Sequence, residues 1–197
     1  EFTANVSHEL KTPLTSISGF AEIIKNGIVK EEDIPRFAGR IYDEAQRLIT
    51  LVEDIIKLSQ LDEKQIAAKK ERLDLYMLCQ DVLYTLEQAA EQRQIALHLA
   101  GKHLYVEAVD QMLEEIIYNL CDNGIKYNRA GGSVTVTVCE EDGRPAVKVS
   151  DTGIGIPQED LDRVFERFYR VNKSHSKEIG GTGLGLSIDK HGAAYHG

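Results

Sequence analysis

The first third of the chain carries an apolar seam that few folds can accommodate. Leu10, Leu14, Ile17, Ala21, Ile24 and Ile28 step by four and three, and Ile41, Ala45, Leu48, Val52 and Ile55 repeat the pattern. At about 100° per residue, such positions form one stripe along a helix, as in a coiled coil. No strand-like alternation interrupts it. Asn26-Gly27 and the run to Ile34-Pro35 read as the turn region between two helices. A two-helix hairpin with so apolar a stripe cannot leave it wet, so two copies are expected to pair into a four-helix bundle.

After residue 62 the texture changes. Residues 63–72 are polar, lack a core face and read as a linker. A helix is expected over about 74–93, strands near 96–99 and 103–107, and a second helix over about 110–122. Ser133–Cys139 and Pro145–Ser150 then alternate with period two around Glu-Asp-Gly, the signature of a β-hairpin. Helices and strands in this order suggest an α/β or α+β sandwich. The expected division is 1–65 for the helical hairpin and 71–197 for the sandwich.

Charge narrows the function. Thirty-two acids against 23 Lys and Arg leave a net charge of -9, and a general nucleic-acid surface would need the opposite sign. A phosphorylated ligand remains open, because a few backbone amides can hold one. No apolar run approaches the ~20 residues of a membrane span. The chain opens on Glu1-Phe2 rather than Met, so a piece of something longer is expected. Cys79, Cys121 and Cys139 form no CxxC and read as reduced thiols. The histidines form no metal-ligand pair.

Glycine gathers where chemistry would sit. Asp151-Thr-Gly-Ile-Gly-Ile-Pro157 follows a predicted strand, and Gly180-Gly-Thr-Gly-Leu-Gly185 precedes a helix-like stretch. Glycines at a strand end let a ligand approach the backbone, and glycines opening a helix expose its first N–H groups to anions. Neither cluster has the GK[ST] of a P-loop or a dinucleotide-binding βαβ context. Glu115, Asn119 and Asn123 fall at i, i+4 and i+8 on one helical face. Stacked polar groups there are costly unless they bind something, and oxygen donors of this kind suit Mg2+.

Together these segments carry a family pattern. Ser7-His8-Glu9-Leu10-Lys11-Thr12-Pro13, Asn119–Asn123, Asp151–Gly155, Arg163–Arg170 and Gly181–Gly185 occur in that order. The chain resembles the catalytic core of a bacterial sensor histidine kinase over nearly all of its length. The resemblance implies a dimerisation and phosphotransfer hairpin followed by an ATP-binding sandwich of the gyrase and heat-shock chaperone type. Asp151 would read adenine, with Gly153 and Gly155 shaping the pocket. Asn123 would be the principal Mg2+ ligand, with Asn119 close by and Glu115 a further candidate. Lys126, Tyr127 and Arg170 would flank the nucleotide, and Gly181, Thr182, Gly183, Leu184 and Gly185 would close on the triphosphate. Residues 158–181 would form a lid.

His8 can also be read from the helix alone. The seam stays within about 40° of its mean direction, and His8 lies about 160° away, facing solvent. Glu9 can take a proton from one ring nitrogen and leave the other as nucleophile. Thr12 shares the face of His8, and Pro13 removes an amide from the helix ladder beside it. The resemblance implies that His8 takes the γ-phosphoryl group of ATP with Glu9 as base, then passes it to an Asp on a response-regulator receiver domain. Thr12 would serve the reverse, phosphatase activity. A cytoplasmic location is implied, alone or as the cytoplasmic part of a membrane-bound sensor.

Three departures stand out. The family continues past the position of Gly197 with a further hairpin. Asp189 occupies a place where an aliphatic residue is common, and Gly124 and Asn128 replace the more frequent Ala and Thr or Ser. Two other readings compete: an ATPase without phosphotransfer, which leaves His8 to Pro13 unexplained, and a degenerate kinase kept as a dimeric scaffold, which intact Asn123, Asp151 and glycine boxes oppose.

Overall fold

A computed structural model describes residues 2–62, 69–171 and 181–196. Most of the expected linker (63–68) and the expected lid tip (172–180) lie outside the described residues. Helix α1 spans Phe2–Lys25 and runs through Pro13 without a break in assignment. The missing amide of Pro13 leaves the Glu9 carbonyl without its i+4 donor. Thr12 and Thr15 satisfy their hydroxyls on the carbonyls four residues back, His8 and Lys11.

The helix ends in a Schellman closure. Ile28 N–H bonds Ile23 O, Gly27 N–H bonds Ile24 O, and Gly27 sits at φ +67°. Helix α2 spans Ile34–Asp62 and returns along α1. Ile34-Pro35, read from the sequence as the end of the turn, instead opens this helix, where a proline needs no amide. Phe20 and Phe37 meet edge to face at 5.7 Å near the turn. The outer stripe of the hairpin stays open: Leu14, Ile49, Val52 and Ile56 are all exposed in the single chain.

Beyond the hairpin, β1 (Glu71–Asp74) pairs antiparallel with β3 (Tyr105–Ala108). The end of the expected linker is therefore a strand. A second sheet has the order β2-β4-β5, from Ala96–Gly101, Ser133–Glu141 and Arg144–Asp151. Strand β2 runs parallel to β4, and β4 antiparallel to β5 through Asp142-Gly143, both at positive φ. That is the two-residue turn the twist of a hairpin favours. Val134, Val136 and Val138 of β4 point alternately inward and are fully covered.

Helices α3 (Leu75–Gln92) and α4 (Asp110–Lys126) cover that face. Leu75, Cys79, Val82, Leu86, Ile117, Cys121 and Ile125 join the three valines in one core. The last helix, α5 (Gly185–His196), packs on α4 and also touches α2. A second, smaller core forms there from Leu51 and Leu58 of α2 with Leu184 and Ile188. It joins the glycine loop to the hairpin.

Candidate active site

His8 projects from α1 with 81% of its side chain exposed, as its angle from the seam requires. Its Nδ1 lies 4.0 Å from Glu9 Oε1. The other Glu9 oxygen accepts from Arg170 Nη2 at 3.3 Å, a partner the sequence reading did not give it. Arg170 is only 10% exposed. Burial lowers its pKa, Glu9 pulls the other way, and Arg47 adds to the lowering. A charge interaction with Tyr127 also works against the lowering. Arg170, which follows the β2-β4-β5 sheet in the chain, thus reaches the hairpin through Glu9.

The polar face of α4 divides between partners. Glu115 Oε1 receives a bond from Lys57 Nζ of α2 at 2.6 Å. Burial lowers the pKa of Lys57, but the hydrogen bond and charge of Glu115 outweigh it and leave a net rise. Asn119 Nδ2 donates to Asp189 Oδ1 of α5 at 3.1 Å. A carboxylate only accepts, so this contact sends the Asn119 amide oxygen the other way. Asn123 lies one turn on and is half-buried. Among the described residues no three His, Cys, Asp or Glu side chains converge on a common point. Amide oxygens alone fit a Mg2+ that keeps phosphate and water ligands.

The two glycine segments meet the end of α4. Asp151 Oδ1 accepts from Gly153 N–H at 2.8 Å, and Ile154 N–H bonds Tyr127 O. A Cβ on Gly153 would run into that Tyr127 carbonyl, so only glycine fits. Gly155 takes φ +70°. Lys126 Nζ pairs with Asp122 Oδ2 at 2.6 Å across one helical turn. Gly181 lies with its α-carbon toward Tyr127 Oη, where an added Cβ would sit 3.6 Å away.

In the second segment, Gly183 has φ +74° and its carbonyl accepts from Phe168 N–H at 2.8 Å. Phe168 itself stands at φ +65°, a strained setting for an aromatic residue. Its ring lies 5.8 Å from that of Phe2. Thr182 donates to Asp54 Oδ2 at 2.6 Å, and Arg167 pairs with Asp62 at 2.7 Å. Burial raises the Asp54 carboxyl, with Thr182 and Lys57 opposing. None of Asp54, Lys57, Asp62 and Arg167 was legible as a site residue, because the partners lie 58 to 128 positions apart.

The comparisons with known proteins agree with this arrangement. Residues 1–64 match the His Kinase A (phospho-acceptor) domain. Residues 108–197 match the histidine kinase-, DNA gyrase B- and HSP90-like ATPase family. Sensor histidine kinase WalK of Bacillus subtilis (strain 168) is 38% identical across the whole of this chain.

The chain belongs to the sensor histidine kinase family. It spans 33% of the length of that WalK protein and 46% of a WalK from Staphylococcus aureus, which is 35% identical. Among solved structures, histidine kinase ThkA in complex with response regulator protein TrrA superposes with a TM-score of 0.74. That match has 25% identity and covers 90% of this chain and 53% of the other. Full-length ShkA in complex with AMPPNP gives 0.69 at 28% identity, over 97% of this chain and 40% of the other. A hairpin followed by an α/β layer is therefore the family architecture. Among the described residues, no helix is long and apolar enough to cross a membrane.

Proposed function

We propose that the chain is the ATP-dependent phosphotransfer core of a sensor histidine kinase. Residues 1–65 would form the dimerisation and phosphoacceptor unit and residues 71–197 the nucleotide unit. The observation that carries this reading is the Glu9–Arg170 pair, which ties the acid beside an exposed histidine to the segment leading into the glycine loop. Glu9 lies on the Nδ1 side of the ring, which leaves Nε2 free as the nucleophile. Nε2 attacks the γ-phosphorus, the bond from that phosphorus to the bridging oxygen breaks, and ADP leaves with the electron pair. Glu9 takes the Nδ1 proton.

Asp151, Gly153 and Gly155 would form the adenine wall, and Lys126, Tyr127 and Arg170 would flank the nucleotide. Residues 181–185 would give amides to the phosphates. Asn123, seconded by Asn119, would hold Mg2+, which neutralises charge on the phosphates. Glu115 is held by Lys57 and belongs to the junction with α2 in this reading. The reported ShkA complex with AMPPNP supports ATP as the phosphoryl donor.

The second step passes the phosphoryl group from His8 to an Asp of a receiver domain: the P–N bond breaks as a P–O bond forms. The ThkA complex with a response regulator supports that kind of partner. The open apolar stripe of the hairpin supports a homodimer, and we infer a cytoplasmic setting for this part of the protein. No nucleic-acid partner is proposed.

His8→Gln is expected to abolish acid-labile, alkali-stable label from γ-labelled ATP while leaving nucleotide binding intact. Label persisting on that variant would remove His8 from its role. Phosphate release with no protein label in the unaltered chain would favour the ATPase reading.

A further inference from the structure

The glycine loop is fastened to the hairpin by a hydroxyl. Thr182 is buried, and its Oγ1 donates to Asp54 Oδ2 of α2 at 2.6 Å. The same oxygen accepts from the Leu184 backbone N–H at 3.3 Å. A threonine hydroxyl has one proton to give, so Asp54 takes it and fixes where the lone pairs face. Leu184 N–H stands at the opening of α5 and is one of the amides an anion there would use. The Leu184 side chain is 0% exposed and clusters with Leu51 and Leu58. Docked in this way, the loop has one amide donor engaged internally and a carboxylate beside it.

We propose that Asp54 is a positioning residue that keeps the glycine loop docked on α2 in a form with a weakened hold on phosphate, so that docking and nucleotide binding oppose each other. The proposal rests on the kinase reading of the site and adds to it a link between nucleotide and hairpin. Phosphate entering the loop competes for Leu184 N–H and meets the Asp54 charge. Either effect frees Thr182 and uncovers Leu184. Linkage makes the effect reciprocal: whatever loosens the docked loop tightens nucleotide binding by the same factor. Lys57–Glu115 and Asp62–Arg167 lie on neighbouring turns of α2, so release of the loop loads both.

The test uses the whole chain and AMPPNP with Mg2+. Calorimetry is expected to show Asp54→Ala binding the nucleotide about 5-fold or more tightly than the unaltered chain, the lower end of measured coupling between sites. Asp54→Asn, which keeps an acceptor for Thr182 but loses the charge, should fall between them. A purely structural role would lower the melting temperature and leave affinity unchanged or weaker, and that result overturns the proposal. A second measurement needs no variant: saturating AMPPNP should speed hydrogen exchange in the α2 segment around Leu51–Leu58. Slower or unchanged exchange there also overturns it. If the unaltered chain binds no nucleotide at all, the kinase reading falls and the inference with it.

Discussion

Asp189 is 4% exposed, and its Oδ2 has no partner among the described residues. Burial pushes its pKa up to about 7; the bond from Asn119 opposes this, while Glu115 and Asp54 add to it. An acid raised in the folded state is more stable protonated there than in the unfolded chain. Its penalty is therefore absent below about pH 4, grows as pH rises and levels off near 7. A shift of that size amounts to at most on the order of 4 kcal/mol. Asp189→Asn keeps an acceptor for Asn119 and removes the charge. Its melting temperature should match the unaltered chain near pH 4 and exceed it by several degrees at pH 8. Equal melting at both pH values would show that the carboxylate is not strained. The sequence marked this position as unusual but gave no reason, since Asn119 lies 70 residues away. Glu9 was legible as a neighbour of His8, and its second partner, Arg170, was not.

At the scale of elements, periodicity located most of what exists. The period-two run of β4 and the seam of the hairpin were both visible because each is long and half-buried. Strand β1 was missed because Glu71 and Arg72 read as linker and Asp74 as the start of a helix, and the four residues gain their structure only by pairing with β3. Helix α4 extends four residues past its expected end at 122. Gly124 should weaken it there, yet an added Cβ would lie 3.1 Å from Val134 Cγ2, so the glycine allows close approach to the sheet. The start of α3 offers a test. Asp74 Oδ1 caps Tyr76 and Met77 N–H, and Oδ2 pairs with His103 Nδ1 at 2.7 Å. Desolvation works to raise its pKa, but these bonds and the histidine outweigh it and leave the carboxyl below its ordinary value. Its contribution is then present above about pH 4 and lost as pH falls through the carboxylate range. Asp74→Ala should lower the melting temperature at pH 7, with the difference shrinking toward pH 3. A constant difference would mean the cap acts without its charge.

For the whole molecule, the hairpin faces two ways. One stripe of α2 (Leu51, Asp54, Leu58 and Asp62) engages the glycine loop and its neighbours, while Ile49, Val52 and Ile56 remain exposed. The sequence seam ran through Leu48, Val52 and Ile55, so it located the apolar helix but could not separate the surface facing the sandwich from the surface left open. That separation depends on where the second unit docks, which local pattern does not encode. If the open stripe pairs with a second copy, Leu14→Glu with Ile49→Glu should weaken self-association at least about a hundredfold, because burying each such side chain is worth roughly 1.5–3 kcal/mol. Sedimentation would show monomer where the unaltered chain is dimeric; unchanged sedimentation would place the interface elsewhere. The core of the sandwich has a chemical corollary. Cys79 and Cys121 are wholly buried, and burial pushes both thiols up to about 12, whereas Cys139 on β4 is half-exposed. Since the thiolate is the reactive form, an oxidant or alkylating agent meets the folded protein at Cys139 first. Damage would begin on the sheet and spare the helix-covered interior until the fold opens.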